Sequence, residues 1–245
     1  MSLFIIIIYK DVLTAAAAKQ IIVISPIYGY HFNQEFHTER IGGRPTIVST
    51  EGSGYQTGLF IQGIFNKLYI TEYPFYARTN HSNVLGNILF SSYDFLKLNS
   101  KLKLNAGIGH VYHKIEAPGS IVKISVPMPK FGLKISAGNF KINPYFSRTR
   151  ETNEIEAGNR ITKKHYYYNL YGINIDYTFK HFWNHTLKYY YGDVSENDGN
   201  DIYTIRYYNY INLSKKYGAV LKYEYEKHKN GAVDKSITAG PVFMF

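Results

Sequence analysis

The stretch that decides the fold is ITAGPVFMF, residues 237–245. Ile237, Ala239, Pro241, Phe243 and Phe245 share one parity, and Thr238, Gly240, Val242 and Met244 share the other. A spacing of two is the signature of a β-strand with one apolar face. Chain ends usually fray into water, so two phenylalanines here call for an apolar surface to lie against.

Working outward, the same period recurs along the chain, and no segment of useful length has a helical period. Twelve strand-like segments are predicted, at about 21–33, 55–65, 67–78, 83–95, 101–115, 120–137, 139–149, 163–180, 184–194, 200–213, 216–229 and 232–245. In KLKLNAGIG, Leu102, Leu104, Ala106 and Ile108 face away from Lys103, Asn105, Gly107 and Gly109. In YGAVLKYEYE, Tyr217, Ala219, Leu221, Tyr223 and Tyr225 oppose Val220, Lys222, Glu224 and Glu226. In 120–137 the apolar parity changes: Val122, Ile124 and Val126 are even, Phe131, Leu133 and Ile135 odd. One extra residue would do this, so the pattern predicts a β-bulge near Pro127–Pro129, or else two shorter strands joined at 127–130.

The connections alternate in length. Those after segments 2, 4, 6, 8 and 10 are short, whereas 34–54, 150–162 and the stretch around SENDGN (195–200) read as long polar loops. RIGGRP (40–45) reads as a surface turn. Twenty-five tyrosines and a 17% aromatic content suit strands and interfaces. The absence of cysteine excludes a disulfide scaffold and thiolate metal sites. Mean hydropathy is slightly negative, and no apolar run is long enough for a membrane helix, which leaves a β-barrel open because its segments alternate.

Near the start, LFIIIIY (3–9) followed by TAAAAKQ (14–20) reads as an export signal cleaved after Ala18. It departs from the usual pattern in having no Lys or Arg before the apolar core and Lys10-Asp11 after it. The expected organisation is a signal peptide at 1–18 and one domain at 19–245. The net charge of +10 is the same with or without residues 1–18, since Lys10 and Asp11 cancel.

Periodicity alone does not choose between a soluble sandwich and a membrane barrel. Position does help: Thr238, Gly240, Phe243 and Phe245 resemble the C-terminal assembly signal of Gram-negative outer-membrane β-barrels. That resemblance covers about ten residues. It implies an all-β, antiparallel, up-and-down transmembrane barrel, located in the bacterial outer membrane and inserted by the barrel-assembly machinery. Twelve strands are expected, within a range of ten to fourteen, because about ten residues suffice for each crossing. Length and basic charge also resemble the small monomeric twelve-stranded porins for acidic oligosaccharides, so a monomer is expected, with outer-membrane lipid and small solutes as its partners.

On the polar faces the alternation places Lys103, Lys123, Lys134, Lys141, Lys188, Arg206 and Lys222 together with Asp176, Glu224 and Glu226. Three carboxylates against seven cations predict an electropositive lumen and passage of small, preferably anionic solutes. The alternatives are a non-conducting structural barrel, or one whose outer loops bind a partner. A lipid hydrolase is the weakest reading. In RTNHSNV, His81 and Ser82 are adjacent and point to opposite faces, whereas a nucleophile and its base must meet. No catalytic, metal or cofactor motif is present, and no nucleic-acid module accompanies the scattered basic residues.

Overall fold

The computed structural model describes residues 20–41, 44–179, 182–194, 201–229 and 231–245. The expected signal peptide, the SENDGN loop and Gly42-Gly43 lie outside them. Twelve strands follow in chain order: β1 (Gln20–Ile41), β2 (Arg44–Phe65), β3 (Leu68–Thr79), β4 (Asn83–Lys97), β5 (Leu102–Ala117), β6 (Ser120–Ala137), β7 (Phe140–Ala157), β8 (Arg160–Phe179), β9 (Trp183–Val194), β10 (Ile202–Asn212), β11 (Tyr217–His228) and β12 (Val233–Met244). Each pairs antiparallel with its sequence neighbours, and β12 pairs with β1 to close the barrel. At the seam, Ile22 N–H donates to the Phe245 carbonyl at 3.1 Å and Phe245 N–H to the Ile22 carbonyl at 2.9 Å.

Following the ladder once around from Phe140 on β7 leads back to Glu154 on the same strand, fourteen residues higher. A stagger of that size tilts the strands by roughly 40° to the barrel axis. The interior this leaves is small enough for side chains from opposite walls to meet.

Two of the predicted long loops are strand. β1 and β2 continue to Ile41 and Arg44, and β7 and β8 continue to a two-residue turn at Gly158-Asn159. Gly158 has φ +57° and Gly138, at the opposite end, +60°; both are left-handed conformations that a side chain disfavours. The β7–β8 hairpin reads as a loop because both of its faces are mostly polar. Outward on the β7–β8 hairpin, Lys163 meets Glu154 at 2.8 Å and Lys123 of β6 meets Glu154 at 3.2 Å.

The bulge expected at Pro127–Pro129 is absent. β6 holds one register against β5 along its whole length, and one register against β7 on both sides of a gap at 126–130. Even-numbered residues of β6 therefore face inward throughout. Met128 is 8% exposed, whereas Phe131 is 64% exposed on the outside. The apolar parity changes because the surroundings change. Phe131, Leu133 and Ile135 face the outer apolar band, while Lys123 and Ser125 stand beyond its edge in water. β7 makes the same switch, from outward Phe140, Ile142, Pro144 and Phe146 to outward Arg148, Arg150 and Thr152. Prolines lack the ladder donor, and the gap in the β6–β7 ladder is bridged by the Thr149 hydroxyl, which donates to the Pro127 carbonyl. The true bulge lies in β4, where the register shifts between Asp94 and Leu96 and both Phe95 and Leu96 turn outward.

Tyrosines rim the outer edge of the apolar band. Tyr171, Tyr191, Tyr203 and Tyr225 lie on β8 to β11, and Tyr30, Tyr55 and Tyr76 on β1 to β3. Neighbouring rings touch, with centroids 5.0 Å apart for Tyr191–Tyr203 and 6.2 Å for Tyr55–Tyr76. Such rings suit a membrane interface, the ring apolar and the hydroxyl wet. Consecutive tyrosines split between faces as alternation requires: Tyr167 points out, and Tyr166 and Tyr168 in.

Because Phe245 supplies both hydrogen bonds at the foot of the seam, deleting it should lower the amount of heat-modifiable, folded barrel in membranes several-fold, with synthesis unchanged. Equal folded levels with and without Phe245, measured on unboiled gels, would show that the seam closes without it.

Candidate functional site in the barrel lumen

Nine of the ten candidate pore-lining residues face inward. Lys123 is the exception and the correction: the continuous register puts it on the outer face, where it pairs with Glu154 and Glu156. The lumen also holds Lys130, which stood at the edge of the predicted bulge and was not named among the candidates.

At the lower end, Asp94 is 4% exposed and lies between Lys134 at 2.5 Å and Lys103 at 3.5 Å. Lys134 also sits 3.7 Å from the centre of the Tyr69 ring. The β4 bulge brings about this triad, since it turns Phe95 and Leu96 outward and leaves Asp94 inside. Asp176 accepts from the Thr186 hydroxyl at 2.6 Å, and Lys141 lies across the ladder from it.

At mid-height, Glu224 holds Lys222 at 2.5 Å and Arg206 at 2.9 Å, and the Ser236 hydroxyl donates to it at 3.3 Å. The Lys222 side chain is 2% exposed, and its ammonium lies 3.8 Å from the centre of the Tyr73 ring. Gln56 donates to the Tyr73 hydroxyl at 2.8 Å. The other two central cations rest on aromatic faces. Lys130 is 3.9 Å from the Phe90 ring centre and 4.4 Å from that of Tyr145, and Lys188 is 4.9 Å from that of Tyr208. Gly172 makes room for the Tyr145 ring, which lies where a Cβ would be. Neither Lys130 nor Lys188 has a carboxylate within ion-pair distance among the described residues.

Higher up, Glu226 accepts from Thr204 at 3.1 Å and meets His228 at 3.1 Å, and His31 faces Asp234 at 3.6 Å. Asp94 and Asp234, which the sequence reading left out, thus neutralise part of the expected cationic surplus. What survives of it is concentrated at mid-height.

Apolar side chains fill much of the remaining space. One cluster joins Ile27, Phe60, Tyr73 and Ile88 to Val220 and Val242, and a second joins Met128 to Tyr168 and Leu170. Phe60 of β2 lies 6.3 Å from the rings of both Tyr208 and Tyr210 on β10, across the lumen. The assembly-signal residues divide by face: Thr238 and Gly240 point inward, Phe243 and Phe245 outward. His81 and Ser82 stand at an outer turn and spend their bonds elsewhere, His81 on Asn80 at 3.2 Å and Ser82 on Thr79 at 3.2 Å.

No family model matches the chain, and no curated protein matches it. Solved structures do. The translocator domain of the autotransporter NalP from Neisseria meningitidis matches with a TM-score of 0.57 at 9% identity, over 99% of this chain and 96% of that one. The fold is that of the Gram-negative outer-membrane β-barrels. The β domain of the Bordetella autotransporter BrkA matches with a TM-score of 0.48 at 11% identity, over 90% of this chain and 98% of that one. The KdgM porin matches with a TM-score of 0.47 at 13% identity, over 89% and 99%. Such low identities speak to architecture, so the function of this barrel has to be argued from its own lumen.

Replacing Glu224 with Gln leaves Lys222 and Arg206 buried without their shared carboxylate. Losing one partner of a buried ion pair costs about 3–5 kcal/mol, so the Glu224→Gln barrel should unfold at markedly lower urea concentration in detergent. Glu116 serves as the control. It is exposed and pairs with Lys114 at 2.6 Å, and Glu116→Gln should change stability by less than about 0.5 kcal/mol.

Proposed function

We propose that this protein is a narrow channel of the bacterial outer membrane that passes small, preferably anionic solutes. The observation that carries the reading is the pair Lys130 and Lys188, held at mid-lumen against Phe90, Tyr145 and Tyr208 with no carboxylate partner among the described residues. Charge in a low-dielectric interior is costly unless compensated. The other cations at mid-height are answered locally, Lys222 and Arg206 both by Glu224. Two uncompensated ammonium groups on aromatic supports make a place where a mobile anion completes the charge balance. The aromatic faces hold the lysines in position by cation–π attraction.

The apolar clusters that meet across the lumen limit the solute to small size. They also favour a second reading, a barrel that does not conduct and whose two outer hairpins contact a partner. The balance of charge still points to the channel, since a purely structural filling gains nothing from leaving Lys130 and Lys188 unpaired.

Refolded protein in planar bilayers under a salt gradient should give small conductance steps and a reversal potential on the anion side. Lys130→Glu together with Lys188→Glu should move that potential toward cations, while Lys215→Glu, in a turn at the opposite end from the hairpins, should leave it unchanged. The preference should fade near 1 M salt, where the Debye length is about 3 Å. Cation preference in the unmodified protein would reject the anion reading, and silence in the bilayer would favour the non-conducting barrel.

A further inference from the structure

The outward band has two groups of polar side chains among its apolar residues. On β9 and β10 the polar atoms satisfy one another: Trp183 donates to Asn209 at 2.5 Å, and His185 is hydrogen-bonded to the Tyr207 hydroxyl at 2.6 Å. On β3 to β5 they do so only in part. Glu72 stands outward midway along the row Leu68, Ile70, Glu72, Pro74, Tyr76, opposite in direction to inward Tyr73. Asn87 donates to its carboxylate at 3.2 Å, and the Asn87 Oδ1 is buried with no partner. An acidic group in the lipid-facing band is costly, and such groups as a rule find polar partners.

A complementary group lies on the same face. His110 of β5 is outward and exposed. One ring nitrogen is hydrogen-bonded to the Ser125 hydroxyl at 2.9 Å, and the other has no partner among the described residues. Leu89 lies between the two: it pairs with Glu72 on one side and with His110 on the other, and is 40% exposed. Glu72, Leu89 and His110 therefore form one row across three strands, acidic at one end and imidazole at the other. The row climbs across the tilted strands, and the hydrogen bond from Asn87 draws the Glu72 carboxylate toward the same upper side.

We propose that two copies of this chain meet through the β3–β5 face about a two-fold axis along the membrane normal, Leu89 against Leu89. Two copies inserted in the same direction have that axis available, and an isologous contact is self-complementary. The rotation sets Glu72 of each copy beside His110 of the other, so the carboxylate and the second imidazole nitrogen each gain a further partner at once. The contact works with a neutral imidazole, whose N–H donates to the carboxylate. The occupant is a second copy because its charge pattern is the mirror of what the first one lacks. This self-association replaces the monomer expected from size and charge, and it is independent of whether the lumen conducts.

The chain has no cysteine, so single replacements report contact cleanly. With an oxidant added to membranes, Leu89→Cys should become a disulfide dimer roughly tenfold more than Ile173→Cys on the far wall. Adding Glu72→Leu to Leu89→Cys should lower the dimer several-fold. Cross-linking of Leu89→Cys no stronger than that of Ile173→Cys would overturn the proposal. If Leu89→Cys fails the heat-modifiability test for folding, light scattering of the unmodified protein in mild detergent decides: a dimer mass supports the contact, a monomer mass overturns it.

Discussion

In a hydrocarbon surround, every backbone N–H and C=O must find a partner within the protein, and the rest of this structure depends on that requirement. A sheet crossing a bilayer meets it by closing, since an open edge would leave a row of unpaired groups with no water to satisfy them. Closure here falls on β1 and β12, whose ladder runs from Ile22–Phe245 at one end to Gln34–Val233 at the other. Once the seam and its stagger are fixed, every residue on every strand has an inward or outward face. The tyrosine rim, the apolar band and the cationic centre are consequences of that assignment.

The strands were legible because lipid and lumen impose opposite chemistry on alternate residues. All twelve were found near their true positions. What was not legible was where the lipid stops. On β6 the apolar residues move from odd to even numbers at the edge of the band, and alternation alone reads that move as an inserted residue. The error carried Lys123 into the lumen. The same edge made the β7–β8 hairpin look like loop, because a strand with water on both sides has no apolar parity to show. The real bulge, at Asp94–Leu96, left only two adjacent apolar residues as its trace.

Inward direction was legible; partnership was not. Alternation correctly turned Lys134, Arg206 and Lys222 toward the lumen, but it does not say what each meets there. Asp94 reaches Lys134 from 40 residues away in sequence. The Phe60–Tyr208 contact spans the barrel, and only the ring order and the stagger bring such pairs together. A count of lumen charges from sequence therefore overstates the free charge, and it also misses that the free charge is gathered at one level.

The filled lumen also answers a weakness in the wall. Three ladders are interrupted at prolines: β12–β1 between Ile24–Phe243 and Tyr28–Ala239, beside Pro26 and Pro241; β2–β3 between Gly58–Phe75 and Ile61–Glu72, beside Pro74; and β6–β7 over 126–130, beside Pro127 and Pro129. In a ring of twelve the first and last of these seams, β12–β1 and β6–β7, lie opposite each other and divide the barrel into β1–β6 and β7–β12. At each of these two seams a hydroxyl repairs part of the gap: Ser25 donates to the Pro241 carbonyl at 2.6 Å, and Thr149 donates to that of Pro127. The larger repair comes from inside. One apolar cluster ties Ile27, Phe60, Tyr73 and Ile88 of the first half to Val220 and Val242 of the second, and the other ties Met128 to Tyr168 and Leu170. A missing ladder bond forgoes about 0.5–1.5 kcal/mol net, whereas each fully buried large apolar side chain contributes about 1.5–3 kcal/mol. The clusters thus outweigh the gaps. The narrowness of any path through the lumen follows from the same contacts: the side chains that hold the two half-barrels together leave little room between them.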